Sequence, residues 1–400
     1  MSGHRPVSKT IMQESITSIQ TDQIKVCFLI PSHWAAAMGG AEYQVKLLLG
    51  EITRATNIQL WYLTRNIDPD FHPEGYEIRK VGTSRHSRYA MDAPGIFRAL
   101  SEIQPHVIYC RVGTAYLGIA AHFCRLNSCR LIWHIASLTD VTRLACSVKN
   151  LIFPIMDKLI LDYGIRRSDS IIAQSNEQSH MLSERFGYTD TKLELVRNFH
   201  PAPRETLSKD DHPIVLWIGN LKHAKQPEVF VQVAESLANS GAEFIMIGAN
   251  QLPEIEFSRL ESKIRQLPNL RYLGELSQSE VNLQLAKSHV LVNTSLVEGF
   301  SNTFIQAWMR RVPVVSLNSD PDDLLEVHGL GFIANGCLEL LTEQTLKLIK
   351  NQDRREAMAH SAEHYVMKEH TLKNAARIIQ LLVDHGSTVK RQLGEPLRDQ

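Results

Sequence analysis

Along this chain, short runs that are apolar on both faces alternate with segments whose apolar residues recur at helical spacing. Between Ile24 and Val196 the runs IKVCFLIP, NIQLWYLT, HVIYC, RLIWHI and SIIAQS each read as a strand with both faces buried. Strands of that kind, separated by helices, predict a parallel sheet covered on both sides. The pattern stops at NFHPAPRETLSKDDHP, a stretch of prolines and charges without periodicity, so residues 199–213 read as a linker. It resumes with PIVLWIG, EFIMIG, NLRYLG, HVLVNT and VPVVSL, most of them followed by a helical segment such as PEVFVQVAESLANSG. The expectation is therefore two doubly wound α/β domains, residues 23–198 and 214–370. A last helical pattern runs from about Asp353 to His385, and its end, residues 371–385, is expected to pack back on the first domain. Polar, flexible tails are expected at 1–22 and 386–400.

Length and composition agree with that division. Four hundred residues exceed what one ordinary core organises, and 44% hydrophobic with 22% charged residues is the balance of a globular chain. Forty-three Lys and Arg offset forty-three Asp and Glu, so no overall field recruits nucleic acid or an anionic membrane. Any anionic ligand must be bound locally. The six cysteines form no CxxC pair and several lie in apolar runs, which points to reduced thiols and a cytoplasmic location. The N-terminus lacks the apolar stretch of a secretory signal, and no run approaches the ~18 apolar residues of a membrane-spanning helix.

In open α/β sheets, ligands bind outside the carboxyl ends of the strands, and four strand-end segments here carry candidate chemistry. In IPSHWAAAMGGAEYQ, Gly39 and Gly40 precede a helix starting near Ala41, whose free N–H groups would attract an anion; the structural alternative is a tight turn. The spacing is not GxGxxG, which speaks against a dinucleotide enzyme. In RLIWHIASLTD, His134 ends an apolar strand, where a cleft-facing imidazole would bond a ligand hydroxyl or, alternatively, serve the core. In WIGNLKHAKQPEVF, Gly219, Lys222 and Lys225 bring ammonium groups and a helix start to a strand end, an arrangement that stabilises a diphosphate; the alternative is a pair of solvated surface lysines. In VNTSLVEGFSNTFIQAWMRR, Glu298 precedes a sharp turn at Gly299 and Phe300, with Ser301 as N-cap of a helix from Asn302 to about Arg310. Glu298 and Gln306 would address opposite ends of an extended ligand, or, alternatively, serve as a turn carboxylate and a buried amide. No His, Cys or Asp spacing resembles a zinc site, and no metal is expected.

Together these segments resemble the retaining glycosyltransferases of the glycosyl-transferases-group-one family, relatives of glycogen synthases and exopolysaccharide transferases. The resemblance covers residues 24–385, and EGFSNTFIQA carries most of it, followed by GGAE. It implies the GT-B fold: α/β, two Rossmann-like doubly wound domains facing across a cleft. It further implies that Gly39 and Gly40 lie near the donor phosphates and acceptor, with the part of Glu42 open, and that His134 holds the donor sugar. Lys225, with Gly219 and Asn220 in the same loop, would pair with the diphosphate. Glu298 would contact the transferred sugar, and the backbone of Phe300, Ser301 and Asn302 the sugar and phosphate. The segment Gly274, Glu275, Leu276 would flank the nucleobase. Two positions depart from the family: Asn220 stands where an arginine is usual, and Gln306 where a glutamate usually bonds the ribose.

The implied activity is transfer, with retained anomeric configuration, from a nucleotide-diphosphate sugar to a glycan or lipid-linked acceptor in cell-surface polysaccharide biosynthesis. It implies no cofactor beyond the donor substrate and no nucleic-acid partner. The alternatives are a nucleotide-sugar epimerase or phosphorylase on the same scaffold, and a non-catalytic binding subunit. The segment VKNLIFPIMDKLILDYGIRRSD mixes apolar residues with Lys149, Lys158, Arg166 and Arg167, and reads as a helix packed on the sheet or as a peripheral membrane contact.

Overall fold

A computed structural model describes residues 24–82, 88–142, 152–188, 191–203, 209 and 211–393. The chain divides into two units, residues 1–198 with 372–400, and residues 199–371. The expected tail 1–22, Cys146, Lys149 and parts of the expected linker lie outside the described residues.

The first unit is built on seven parallel strands: β1 Lys25–Leu29, β2 Gln59–Thr64, β3 Glu77–Lys80, β4 Val107–Arg111, β5 Arg130–His134, β6 Ser170–Ala173 and β7 Leu193–Leu195, in the order β3-β2-β1-β4-β5-β6-β7. The five apolar runs read from the sequence are the five inner strands. The edge strands β3 (EIRK) and β7 (LEL) are half-exposed and too short and polar to show a period. Helices cover the sheet. Among them, Ala115–Leu126 and Ile152–Arg167 meet through Gly118 and Gly164: a Cβ on Gly118 would lie 2.2 Å from the Ile160 carbonyl oxygen. That close packing places the basic, apolar helix against its own unit, while Met156 and Leu159 face outward. Among the described residues no helix is long and apolar enough to cross a membrane.

The second unit holds six parallel strands: β8 Ile214–Ile218, β9 Glu243–Ile247, β10 Leu270–Tyr272, β11 Val290–Asn293, β12 Val314–Ser316 and β13 Gly331–Ile333, in the order β10-β9-β8-β11-β12-β13. In each sheet the order reverses once, between β1 and β4 and between β8 and β11. A crevice opens at such a switch point because the connections on its two sides run to opposite faces.

The stretch expected as a linker begins inside the second unit. Phe199 and His200 are buried there, and the His200 amide donates to the His370 carbonyl at 3.0 Å. The apolar Phe199 secures this end, which the surrounding prolines and charges obscure. The last helical pattern is two helices, Gln352–Glu369 and Lys373–Leu393, belonging to different units. The second continues through the expected 386–400 tail as far as Leu393, because Gly386 and Val389 extend its buried stripe over β1 and β5; residues 394–400 lie outside the described residues. It is fastened to the first unit by His385 to Ser170 at 2.9 Å and Arg377 to Glu194 at 2.7 Å.

Candidate functional site

The switch point of the second unit lies between the loops that leave β8 and β11. After β8, a 3₁₀ turn His223–Lys225 leads to Gln226, which takes a left-handed φ of 46° immediately before Pro227 opens the helix Pro227–Ser236. This conformation puts Lys225 at the rim of the sheet. The loop is tied across the crevice by Thr294, just past β11. Its hydroxyl accepts from Trp217 Nε1 at 2.8 Å and donates to the Lys225 carbonyl at 2.6 Å, and the Leu296 amide donates to the Ala224 carbonyl at 2.9 Å.

Held in this way, the Lys225 ammonium bonds the Glu298 carboxylate through Oε1. The same oxygen accepts from the Ser295 hydroxyl at 2.7 Å and lies 3.5 Å from Asn293 Nδ2. Asn293 is oriented in turn by Ser295 and by Ser316 of the neighbouring strand. Both charged groups are largely shielded, with side-chain exposures of 23% for Lys225 and 14% for Glu298. The sequence NTS before Glu298 therefore supplies the positioning polar groups. They were not singled out in sequence because they read as the end of a strand.

Around this pair the other expected residues take different places. Gly219 faces the Lys225 stem, and its N–H donates to the Ile247 carbonyl. Asn220 and Lys222 follow it, Lys222 exposed. Gly248 at the end of β9 lies against the same loop: a Cβ there would sit 1.9 Å from the Gly219 oxygen, so this approach requires glycine. Its amide donates to the Gly274 carbonyl at 2.9 Å, which brings Gly274, Glu275 and Leu276 beside it. Glu275 is exposed, and Leu276 packs on the core.

The helix expected from Asn302 to about Arg310 is the seven-residue Asn302–Trp308. Ser301 occupies the N-cap position without capping it, because its hydroxyl bonds Thr303 Oγ1 at 2.8 Å instead. The Phe300 ring belongs to the core and packs on His370 at 4.7 Å between centroids; the Asn302 side chain bonds His200. Gln306 is buried on this helix.

In the first unit, Gly39 forms the N-cap of the helix Gly40–Ala55, and the Glu42 carboxylate folds back over it, 2.5 Å from where a Gly39 Cβ would be. The protein's own carboxylate thus sits at this helix start. His134, read from the sequence either as a cleft-facing imidazole or as part of the core, is buried at the end of β5. Its Nδ1 meets the Tyr109 hydroxyl at 2.7 Å and Arg111 Nη1 at 3.1 Å, while Nε2 has no hydrogen-bond partner among the described residues. Burial, and then the Arg111 charge, lower its pKa well below the usual value, so the ring is neutral. Arg111, Tyr109 and Asn198 were missed by sequence reasoning, since each looks like part of a strand or its exit.

Residues 212–351 match the model of a family described as glycosyl transferases group 1. A 158-residue stretch, 38% of this chain, is 27% identical to the 2-deoxystreptamine N-acetyl-D-glucosaminyltransferase of Niallia circulans and spans 41% of that protein. Among solved structures, WaaG, a glycosyltransferase involved in lipopolysaccharide biosynthesis, superposes with a TM-score of 0.73 at 13% identity, covering 89% of this chain and 99% of that one. Anabaena Alr3699/HepE, solved in complex with UDP and glucose, superposes with a TM-score of 0.68 at 15% identity over 90% of this chain and 99% of its own. At such identities the likeness establishes the fold: two parallel-sheet α/β units of the GT-B type.

Proposed function

We propose that this protein is a retaining glycosyltransferase of the group 1 family, moving a sugar from a nucleotide-diphosphate donor to a glycan or lipid-linked acceptor in polysaccharide biosynthesis. The observation that carries the reading is the Lys225–Glu298 pair at the switch point of the family-matched unit. In the free protein each charge balances the other. A donor diphosphate, with more negative charge and several oxygens, replaces the carboxylate on Lys225 and releases Glu298 toward the sugar.

As the glycosidic bond breaks, negative charge grows on the diphosphate, and Lys225 is worth most at that point. The seven-residue helix after Glu298 has only a small dipole, so the ammonium carries the larger share and the backbone of Phe300, Ser301 and Asn302 the smaller. Gln306 bonds the ribose in place of a glutamate, and Gly274 to Leu276 flank the base. His134 offers Nε2–H to the saccharide. With a lysine supplying the positive charge, the reaction needs no metal, and a chelator leaves the rate unchanged. The free cysteines, among them Cys27, Cys110, Cys124 and Cys129, suit the reducing cytoplasm.

The test is a screen of UDP-, GDP- and ADP-sugars for thermal stabilisation, followed by NMR of the product's anomeric configuration. Stabilisation by one nucleotide class, lost in Lys225→Ala, and a product of retained configuration are expected. A protein stabilised by none of them, or equally stabilised without Lys225, overturns the reading.

A further inference from the structure

The carboxyl end of the first unit's sheet holds a cation that no described residue of the unit neutralises. Arg111 ends β4 with 2% of its surface exposed. Its Nη1 meets His134 Nδ1 at 3.1 Å, and its Nη2 donates to Asn198 Oδ1 at 2.8 Å; Asn198 then donates to Gln174 Oε1 at 2.8 Å. Every one of these partners is neutral, and Arg111 forms no ion pair among the described residues. The other deeply buried arginine of this unit behaves differently: Arg65 is matched by Asp92, Nε to Oδ2 at 2.7 Å. A buried guanidinium without a carboxylate is costly, because desolvation is not repaid by attraction.

The hydrogen-bond directions sharpen this. A guanidinium only donates, so the His134 Nδ1 facing it accepts, and the neutral ring carries its proton on Nε2. His134 Nε2–H and Arg111 Nε–H are thus two buried donors without acceptors among the described residues, on side chains already in contact. The backbone beside them is strained as well. Val112, a β-branched residue, takes a φ of 78° in a tight turn closed by the Thr114 amide on the Val112 carbonyl at 3.2 Å.

We propose that Arg111 and His134 form a binding site for an oxyanionic group, a carboxylate or phosphate, carried by the saccharide ligand. Two acceptor oxygens on one anion would satisfy both orphaned donors and neutralise the guanidinium. The inference deepens the glycosyl-transfer reading and takes from it only that the ligand is a saccharide. The anionic group belongs to either the donor sugar or the acceptor, and the test separates the two.

Calorimetry would compare UDP-glucuronic acid with UDP-glucose, and, separately, glucuronic acid and glucose 6-phosphate with glucose, each with and without UDP. At least a tenfold preference for the charged member is expected in one of the two arms. It should vanish in Arg111→Gln and persist in part in Arg111→Lys, with melting temperatures within a few degrees of the parent protein showing that both variants fold. No preference in either arm, or an equal preference in Arg111→Gln, overturns the proposal. Failure of UDP and its sugars to bind counts against the donor reading, while the nucleotide-free arm still decides this one.

Discussion

Lys225 and Glu298, 73 residues apart in the chain, neutralise one another at the carboxyl ends of the adjacent strands β8 and β11. The ion pair is not what fastens the two loops. Thr294 already holds the two loops together without it, through its bonds to Trp217 and the Lys225 carbonyl.

Glu298→Gln and Lys225→Ala should each lower kcat/KM for transfer by about a hundredfold or more, with little change in melting temperature. The two effects should combine less than additively, since the groups act on one another as well as on the donor. Steady-state kinetics with the donor identified by thermal shift makes the measurement. Full activity in both variants would remove these residues from the site.

Ser295→Ala deletes a 2.7 Å hydrogen bond to Glu298 Oε1 and leaves the loop backbone intact. A hydrogen bond to a charged group contributes roughly 1.5–3 kcal/mol, so a loss of about ten- to a hundredfold in kcat with a smaller change in KM is expected. An unchanged kcat would show that Lys225 alone orients the carboxylate.

The two glycines at the strand ends should respond differently to the same methyl group. Gly248→Ala drives a Cβ to within 1.9 Å of the Gly219 oxygen at a φ of 151°, and should destabilise the second unit by about 3 kcal/mol or more while displacing the Gly219 loop. Gly274→Ala meets open space at a φ of 72° and should cost only about 1–2 kcal/mol for the left-handed backbone. Urea denaturation of the two variants side by side makes the comparison.

Acid should weaken the first unit through His33. Its Nδ1 accepts from the Ala35 amide at 3.1 Å, and Nε2 donates to the Tyr76 hydroxyl at 3.0 Å, an arrangement only the neutral ring can make. Burial, and then the Lys46 charge, lower its pKa from 6.5 to about 4. Between those values the unfolded chain binds the proton and the folded protein does not. Stability is therefore full above pH 6.5 and declines as the pH falls toward 4. Urea midpoints measured from pH 4.5 to 7.5 should show this slope, and His33→Gln should make it shallower, leaving the part owed to the other histidines whose pKa burial lowers, such as His134 and His385; an identical slope in the variant would assign the acid sensitivity entirely to them.

The sequence by itself determined the two parallel α/β sheets, because strands buried on both faces must be largely apolar, and most of the ten runs from IKVCFLIP to VPVVSL are of that kind and alternate with helical segments. It also drew out Lys225 and Glu298 as candidates, since both follow apolar strands in loops where a ligand of an open α/β sheet would lie. What it left open were features whose cause lies far off in the chain. The edge strands β3, β7 and β13 owe their existence to a neighbour's exposed backbone rather than to their own residues. The last helix runs on to Leu393 because the first unit's sheet receives its apolar stripe. Arg111 and Asn198 meet across 87 residues, and only strand order brings them together around His134. Local periodicity records how deeply a residue is buried; which residue it is buried against, and whether its charge is answered there, is decided when the strands take their places.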